Sequence, residues 1–290
     1  MKIHLIDGTY ELFRNFYGPP PRKAPDGHEV GATIGLLRSM LAFVSEPGVT
    51  HLACAFDHVV ESFRNDLFPG YKTGEGIDPD LFAQFPLAEQ AMQVLGVITW
   101  PMVEFEADDA IATAVMRFKD QPGVEQVVIC SPDKDLAQLV EGDRVICWDR
   151  RREIIYDEAA VIEKYGVSPA SIPDFLALVG DSADGIPGIP GWGAKSSAAI
   201  LSRFKHLDSI PQEISEWAMT AGRAKRLADS LATHRQEADL YRQLTTLRTD
   251  VPLEENLADL EWQGACEELK GFCAQLGVKD VPERVPRWIN

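Results

Sequence analysis

The stretch "KIHLID", residues 2–7, is an apolar run that ends in an acidic residue, Asp7. The same arrangement recurs in "HLACAFD", which ends at Asp57, and in "EQVVICSPDKD", which carries Asp133 and Asp135. Segments with helical spacing of apolar residues, such as "GATIGLLRSMLAFV" and "LFAQFPLAEQAMQVLGV", separate these runs. This alternation predicts an α/β fold with a mostly parallel sheet flanked by helices.

The pattern changes near residue 157. The segment "DRVICWDRRREIIYD" is typical of a hairpin or two short edge strands, and after it the apolar spacing is mainly helical. The sequence therefore predicts an α/β core over residues 1–157 and a smaller helical subdomain over residues 158–290. Within that subdomain, the Gly and Pro content of "GDSADGIPGIPGWGAKS", residues 180–196, excludes a helix and requires tight turns.

The composition is that of a globular protein. Of 290 residues, 45% are hydrophobic and 25% are charged, which is enough apolar material for a packed core. No apolar run approaches the roughly 20 residues that cross a bilayer, and the N-terminus opens into a strand instead of a signal segment. These features predict a cytoplasmic protein with no membrane partner. Five scattered cysteines without a C-x-x-C pair favour neither a disulfide framework nor a zinc site.

Acidic residues accumulate where strands are predicted to end. Besides the runs above, "VITWPMVEFEADDAIATAVMRF" predicts a short strand that turns into a helix with three acids in its first turn. Because ligands bind outside the carboxyl ends of parallel strands, most of these acids are expected at one edge of the sheet. Two further acids lie in the Gly/Pro-rich loop. The candidates are Asp7, Asp57, Glu106, Asp108, Asp109, Asp133, Asp135, Asp181 and Asp184.

Each of these acids has a simple structural alternative. An Asp at a strand end or in a first helical turn is often only a helix cap, which contributes about 0.3–1 kcal/mol. A convergent set is harder to explain in this way, because like charges about 4 Å apart repel by roughly 4 kcal/mol at an effective dielectric near 20. A bound cation would remove that cost. Oxygen ligands without nearby His or Cys select Mg²⁺ or Mn²⁺, and two such ions are a standard device for phosphodiester hydrolysis.

The net charge of −17 argues at first against a nucleic-acid partner. Carboxylates that hold cations would exaggerate that charge, however, and basic residues need only be concentrated on one face. From residue 185 to residue 226 there are six Lys or Arg against three Asp or Glu. The glycine spacing of "GIPGIPGWGAKS" favours a hairpin whose backbone N–H groups face a phosphate, the alternative being a connecting loop without function. We expect DNA contacts from Lys195, Arg203 and Lys205.

Five motifs, taken in order, resemble those of the 5′-nuclease superfamily: "IDGTYELFR", "AFDHVVESFRNDLFPGYK", "EFEADDAIATA", "SPDKDLAQLV" and "LVGDSADGIPGIPGWGAKSSAAIL". They are similar to the 5′→3′ exonuclease domain of bacterial DNA polymerase I and its stand-alone flap endonuclease relatives, over nearly the whole chain. The resemblance implies a PIN-like or resolvase-like nuclease core with a helical arch at about residues 70–90, and a helix–three-turn–helix DNA-binding subdomain. It also implies a stand-alone, structure-specific, metal-dependent 5′→3′ exonuclease or flap endonuclease.

The resemblance assigns roles to individual residues. Asp7, Asp57, Glu106, Asp108 and Asp109 resemble the ligands of a first, catalytic metal cluster, and Asp133, Asp135, Asp181 and Asp184 resemble those of a second. Arg14 and Lys72 match basic side chains that contact the scissile phosphate, and Tyr71 is assigned to DNA binding beside Lys72. Replacing Arg14 by Ala is expected to slow cleavage and leave the fold largely intact. A K⁺ ion that grips the duplex would be held by main-chain carbonyls of Leu178, Val179, Pro187, Ile189 and Trp192.

Three positions depart from the family pattern. Glu75 lies in the arch where an Arg is expected, Pro132 replaces a small residue, and Gly185 lies where Asn is common. None of them removes a ligand, but they bear on rate and substrate preference. Two alternatives therefore stay open. One is a DNA-structure-binding protein of the same fold with weak or lost catalysis. The other is an aspartyl-phosphate phosphatase, which Leu5 opposes because it occupies the place of the nucleophilic Asp.

The expected partners follow from the same resemblance. They are branched or 5′-ended duplex DNA and, as a further class, RNA/DNA hybrids. A monomer is expected because no repeated interface pattern is present in the sequence.

Overall fold

Strands and helices alternate through the first half of the chain, as the apolar pattern predicts. The computed structural model describes residues 1–289. Its elements are β1 (Lys2–Asp7), α1 (Gly8–Tyr17), α2 (Gly31–Val44), β2 (His51–Asp57), α3 (Phe63–Leu67), α4 (Pro79–Phe82), α5 (Phe85–Val94), β3 (Ile98–Met102), α6 (Ala107–Phe118), β4 (Gln126–Cys130), β5 (Val145–Asp149), β6 (Ile154–Tyr156), α7 (Glu158–Tyr165), α8 (Ile172–Val179), α9 (Ala194–Phe204), α10 (Ala221–Thr233), α11 (Arg235–Thr245), α12 (Glu268–Gln275) and α13 (Asp280–Glu283).

The chain divides into two compact units. The sheet unit contains residues 1–60, 74–131 and the segment from Arg248 onward, and the helical unit contains residues 61–73 and 132–247. In the sheet unit, parallel strands lie in the order β3-β2-β1-β4. In the helical unit, β5 and β6 form an antiparallel pair. These strands and their flanking helices confirm the predicted α/β class.

The parallel strands are short and strongly apolar because helices cover both faces of such a sheet. Five of the six residues of β1 are buried, and so are the five central residues of β2. Asp7 pairs with Ala55, and Asp57 pairs with Met102, so both acids lie at the carboxyl ends of adjacent parallel strands. The sheet therefore places these two predicted site residues at one edge.

The last part of the chain belongs to the sheet unit, whereas the sequence assigns it to a helical subdomain over 158–290. Two long-range hydrogen bonds explain the difference. Trp262 donates its Nε1–H to the carbonyl of Leu95 at 2.8 Å, and the backbone N–H of Val251 donates to Thr113 Oγ1 at 3.1 Å. Helical spacing in the sequence gives the type of these elements but not the surface on which they pack.

The helical unit has its core around α8, which packs against α9 and α11. Five residues of α8 are apolar and buried: Ile172, Phe175, Leu176, Ala177 and Leu178. Arg64 of α3 is only 1% exposed and donates its Nε–H to the carbonyl of Leu244 at 2.7 Å, which ties the segment 61–73 to the end of α11. A buried guanidinium of this kind is tolerated because it is hydrogen-bonded.

Residues 70–90, expected to form a helical arch, are about half helical in the described structure. Residues 71–78 are turns and irregular backbone, and they are followed by the four residues of α4 and the start of α5. Among residues 1–289 no helix is long and apolar enough to cross a membrane.

Candidate active site

The strand-end acids, Asp7, Asp57, Glu106, Asp108 and Asp109, all lie in the sheet unit. Asp7 caps α1, since its Oδ1 accepts the backbone N–H of Tyr10 at 2.8 Å. Its second oxygen accepts the hydroxyl of Ser131, just beyond β4, at 2.9 Å. The capping role considered as an alternative for Asp7 is thus confirmed. It does not exclude a ligand role, because a carboxylate offers about four lone-pair sites.

The start of α6 gathers the other strand-end acids. Asp57 at the end of β2 accepts the backbone N–H of Ala107, the first residue of α6, at 2.9 Å. Asp109 has no exposed surface and accepts two backbone N–H groups, from Arg248 at 2.9 Å and from Glu106 at 3.0 Å. Both acids therefore have defined orientations before any ion binds. Glu106 is buried at the N-cap of α6, and Asp108 is half-buried in its first turn.

A second set of acids, called the buried acid group after its buried members Asp135, Asp181 and Asp184, also includes the exposed Asp133 and lies in the helical unit. Carboxylate oxygens of Asp135, Asp181 and Asp184 lie within 4.8 Å of one another. Among the described residues, Asp135 Oδ1 and Asp181 Oδ2 are buried and have no hydrogen-bond partner. A buried acceptor without a partner costs about 1–3 kcal/mol, and more when it is charged. The group therefore fits a hard cation such as Mg²⁺ or Mn²⁺, whose ligands are oxygens.

Electrostatics of this group support the same interpretation. Burial raises the pKa of Asp135 well above its usual value, and the negative charges of Asp133, Asp184 and Asp181 raise it further. The backbone N–H of Asp135 donates to Asp133 Oδ1 at 3.0 Å, which holds the two acids of "SPDKD" close together. Without a cation, the charged form of Asp135 is thus unfavourable in the folded protein.

Two lysines in the helical unit partly neutralise the buried acid group. Lys72 Nζ lies 3.1 Å from Asp184 Oδ1, and its backbone N–H donates to the Asp184 carbonyl at 3.0 Å. Lys134 Nζ lies 2.6 Å from Asp181 Oδ1. The sequence identified Lys72 but missed Lys134. A lysine between two acids in "SPDKD" is the signal that could have revealed it.

Arg14 is more buried than the sequence suggests. Its side chain in α1 is 17% exposed and donates to Glu11 Oε2 at 2.5 Å and to Ser39 Oγ at 3.3 Å. Glu11 is 2% exposed at its side chain, so Arg14 pairs with a buried carboxylate. The effect of Arg14→Ala on cleavage and on the fold stays a prediction, but the change would leave a buried carboxylate without this guanidinium.

We expect Arg14→Ala to lower the free energy of unfolding by about 3 kcal/mol, as is typical when one partner of a buried ion pair is removed. Arg14→Lys keeps the positive charge and should therefore lose less of the free energy of unfolding. Arg284→Ala is a matched control, since the side chains of Arg284 and Asp280 are 54% and 46% exposed and their pair should contribute under about 1 kcal/mol. Urea unfolding of the three variants makes the comparison. A parent-like midpoint for Arg14→Ala would show that Glu11 does not need this partner.

The Gly/Pro-rich loop brings two backbone segments into very close contact. A Cβ atom at Gly180 would meet the Pro187 carbonyl oxygen at 2.8 Å, and one at Gly188 would meet the Val179 carbonyl oxygen at 2.6 Å. Both glycines have positive φ, 89° and 73°. The segments border an open cavity of about 390 Å³ lined by Val179, Gly180, Ser182, Gly185, Ile186 and Pro187. The loop is therefore a defined hairpin whose backbone approach requires glycine.

Of the residues whose carbonyls are expected to hold K⁺, two have carbonyls that already accept a backbone hydrogen bond and two others line the cavity. The carbonyl of Leu178 accepts the N–H of Ile189 at 2.8 Å, and that of Ile189 accepts the N–H of Trp192 at 3.0 Å. Val179 and Pro187 line the cavity described above. The Trp192 side chain is 4% exposed, donates to the Leu227 carbonyl at 3.1 Å and lies 5.8 Å from the Trp217 ring. The Trp192 side chain therefore belongs to the apolar core of the helical unit.

Three of the residues predicted to contact DNA are exposed, and a fourth is buried. Lys195, Arg203 and Lys205 are all exposed, on α9 and at its C-cap. Tyr71 is only 4% exposed, with its ring centroid 5.5 Å from Lys72 Nζ. The Tyr71 ring is therefore in contact with the Lys72 ammonium, and a DNA contact by Tyr71 stays a prediction. The phosphatase alternative is also disfavoured, since Leu5, in place of the nucleophile, is fully buried in β1.

Comparison with known proteins identifies the family. The model of the 5′-3′ exonuclease N-terminal resolvase-like domain matches residues 2–166, and that of the 5′-3′ exonuclease C-terminal SAM fold matches residues 167–268. A 5′-3′ exonuclease of Aquifex aeolicus (strain VF5) is 31% identical over 287 residues, which cover 98% of this chain and 95% of the relative. DNA polymerase I of Bacillus caldotenax is 32% identical over 98% of this chain.

The alignment with DNA polymerase I covers 32% of the relative, so the chain spans about a third of the length of such polymerases. Among solved structures, the T5 D15 protein co-crystallised with metal ions has a TM-score of 0.69 at 18% identity, covering 98% of this chain and 96% of that one. The catalytic core of Rad2 in complex with DNA substrate has a TM-score of 0.60 at 14% identity, covering 98% and 91%. These structures share the fold, and the family models confirm the resemblance seen in the motifs: this chain belongs to the 5′-3′ exonuclease family.

Proposed function

We propose that this chain is a structure-specific, metal-dependent 5′→3′ exonuclease and flap endonuclease that hydrolyses phosphodiester bonds near single-strand/duplex junctions. The observation that carries the proposal is the buried acid group, in which Asp135 Oδ1 and Asp181 Oδ2 have no partner among the described residues. Uncompensated oxygens of this kind suit a divalent cation, and the strand-end acids offer a second set of oriented carboxylates. A relative named 5′-3′ exonuclease, 31% identical over nearly all of both chains, supports the activity.

Each of the two groups of carboxylates would bind a divalent cation. The strand-end acids would hold a first cation in the sheet unit, and the buried acid group would hold another in the helical unit. Bound Mg²⁺ or Mn²⁺ supplies Lewis-acid stabilisation of the phosphoryl and leaving oxygens. The backbone N–H groups that fix Asp7, Asp57 and Asp109 keep the carboxylates oriented, so that little reorganisation is needed when a substrate arrives.

Basic side chains would position the substrate. The Lys72 side chain is 29% exposed, so its ammonium can reach a phosphate while its backbone stays bonded to Asp184. Arg14 would stabilise charge on the scissile phosphate from its position in α1. Lys195, Arg203 and Lys205 would bind duplex phosphates, which orient DNA without reading its sequence. Affinity should therefore fall as the salt concentration rises.

Neighbours of the same fold support a branched DNA substrate. The T5 D15 flap endonuclease has been crystallised with DNA and metal ions, Rad2 with a DNA substrate and human GEN1 with Holliday junction DNA. By analogy of fold, we assign 5′-ended and branched duplex DNA to this chain as its substrate, with RNA/DNA hybrids as a further class.

We also propose a K⁺ ion at the Gly/Pro-rich loop, where carbonyls of Leu178 and Ile189 retain a second lone pair. A monomeric state and a cytoplasmic location stay predictions.

A paired-substrate assay tests the proposed function. A labelled duplex with a 5′ flap and a matched duplex with a 3′ flap are incubated with the protein and Mg²⁺ or Mn²⁺. We expect cleavage near the junction of the 5′ flap, little cleavage of the 3′ flap and none with a chelator. Binding of the 5′-flap duplex without cleavage in either metal would instead support the DNA-structure-binding alternative.

A further inference from the structure

We propose that Lys134 is a resident counter-ion of the buried acid group, which lowers the affinity of that group for a divalent cation. The proposal deepens the proposed function and rests on it, since it concerns the cation site of the same nuclease. It assigns a role to a side chain for which the sequence offered none.

The geometry places the Lys134 ammonium directly on a buried carboxylate. Lys134 Nζ lies 2.6 Å from Asp181 Oδ1, and the Asp181 side chain is fully buried. Asp181 Oδ2 is also buried and has no hydrogen-bond partner among the described residues. One oxygen of Asp181 is therefore neutralised by lysine, and the other remains as a strong acceptor.

The balance of charge gives the direction of the effect. The buried acid group has four carboxylates, and the ammonium groups of Lys72 and Lys134 pair with two of them. With all four acids ionised, these six side chains together carry an excess of negative charge, which suits a divalent cation. If Lys134 lost its charge, that excess would grow by one unit. A cation would then be bound more tightly, because the nearby ammonium would no longer repel it.

Loss of Lys134 should not misorient the Asp181 carboxylate, so the expected gain in cation affinity should not be offset by a displaced ligand. Asp181 Oδ1 also accepts the backbone N–H of Ala183 at 3.0 Å, and the backbone of Asp181 is paired in both directions with Ile186. The carboxylate is therefore held in place without Lys134.

Binding of Mn²⁺ to the full chain, followed by electron paramagnetic resonance, tests the proposal directly. We expect Lys134→Met to bind Mn²⁺ about tenfold more tightly in the buried acid group, and Lys134→Arg to bind it like the parent. Lys225→Met removes the same charge from an exposed position on α10 and should change nothing. In an Asp181→Asn background, Lys134→Met should change the Mn²⁺ affinity much less, because the carboxylate that the lysine neutralises is gone.

Thermal unfolding provides a second readout. Without cations, Lys134→Met should melt below the parent, since Asp181 is left uncompensated, and Mn²⁺ should raise its Tm by more than it raises that of the parent. Lys134→Gln removes the charge but keeps a donor for Asp181, so it must show the same tightening even if the Met variant folds poorly. Equal or weaker Mn²⁺ affinity in the Gln variant would overturn the counter-ion role.

These measurements separate the two proposals. Tighter Mn²⁺ binding by the variants without cleavage of any 5′-flap duplex would contradict the nuclease activity but support the role of Lys134. Unchanged Mn²⁺ affinity with normal cleavage would contradict the role of Lys134 alone.

Discussion

Asp135→Asn is expected to lower the single-turnover rate of 5′-flap cleavage by about 1,000-fold, equivalent to about 4 kcal/mol, and to stabilise the cation-free protein at the same time. The loss of activity follows from removing one carboxylate of the buried acid group. The gain in stability follows from removing a buried charge that faces Asp133, Asp181 and Asp184. Each 1 kcal/mol gained should raise Tm by roughly 2–4 °C.

The stability gained by Asp135→Asn should depend on pH. Because the pKa of Asp135 is raised in the folded state, folding favours its protonated form, and the parent loses stability as pH rises above the ordinary carboxyl range. The advantage of Asp135→Asn should therefore be largest at neutral pH and shrink as pH falls towards the ordinary pKa of Asp. Melting curves of the parent and of Asp135→Asn, recorded with a chelator at several pH values, measure this difference in stability. Asp229→Asn, at an exposed position on α10, is the control and should change neither stability nor cleavage. An Asp135→Asn protein that melts below the parent at neutral pH would contradict this account.

Asp109→Asn should reduce both activity and stability. Asp109 is fully buried, and its two oxygens accept the N–H groups of Glu106 and Arg248. Asn has only one acceptor oxygen, so its amide group would face one of these N–H donors and leave it unsatisfied. The expected cost is about 1–3 kcal/mol, and a strand-end carboxylate is also lost.

Urea unfolding and 5′-flap cleavage, measured on the same preparation, distinguish these two losses. The stability loss should persist when Mg²⁺ is saturating, since the hydrogen bonds do not involve an ion. A fully stable Asp109→Asn protein with no activity would mean that the carboxylate acts only as a ligand. The contrast with Asp135→Asn is informative, because one acidic residue stabilises the fold and the other destabilises it.

Local sequence pattern was enough to predict the parallel strands and the positions of Asp7 and Asp57. Apolar runs followed by an acid define a strand and its end, and adjacent parallel strands place such ends together. The loop between α8 and α9 was also predictable, because its glycines and prolines exclude a helix. These features depend on neighbouring residues only.

Long-range contacts were not predictable from the pattern. The bond from Arg248 N–H to Asp109 joins residues 139 positions apart, and it helps to explain why the segment from Arg248 onward belongs to the sheet unit. The burial of Arg14 and Tyr71 likewise depends on their neighbours in space. Lys134 was overlooked because a charged residue between two acids in sequence has no fixed partner until the loop carrying Asp181 is placed.

The most direct test of the account is single-turnover cleavage of a 5′-flap duplex by the parent and by Asp135→Asn, with DNA affinity measured in parallel. We predict junction cleavage by the parent that depends on Mg²⁺ or Mn²⁺, and loss of about 1,000-fold in the variant with DNA affinity nearly unchanged. Cleavage by the variant at the parent rate would contradict the claim that the buried acid group serves catalysis.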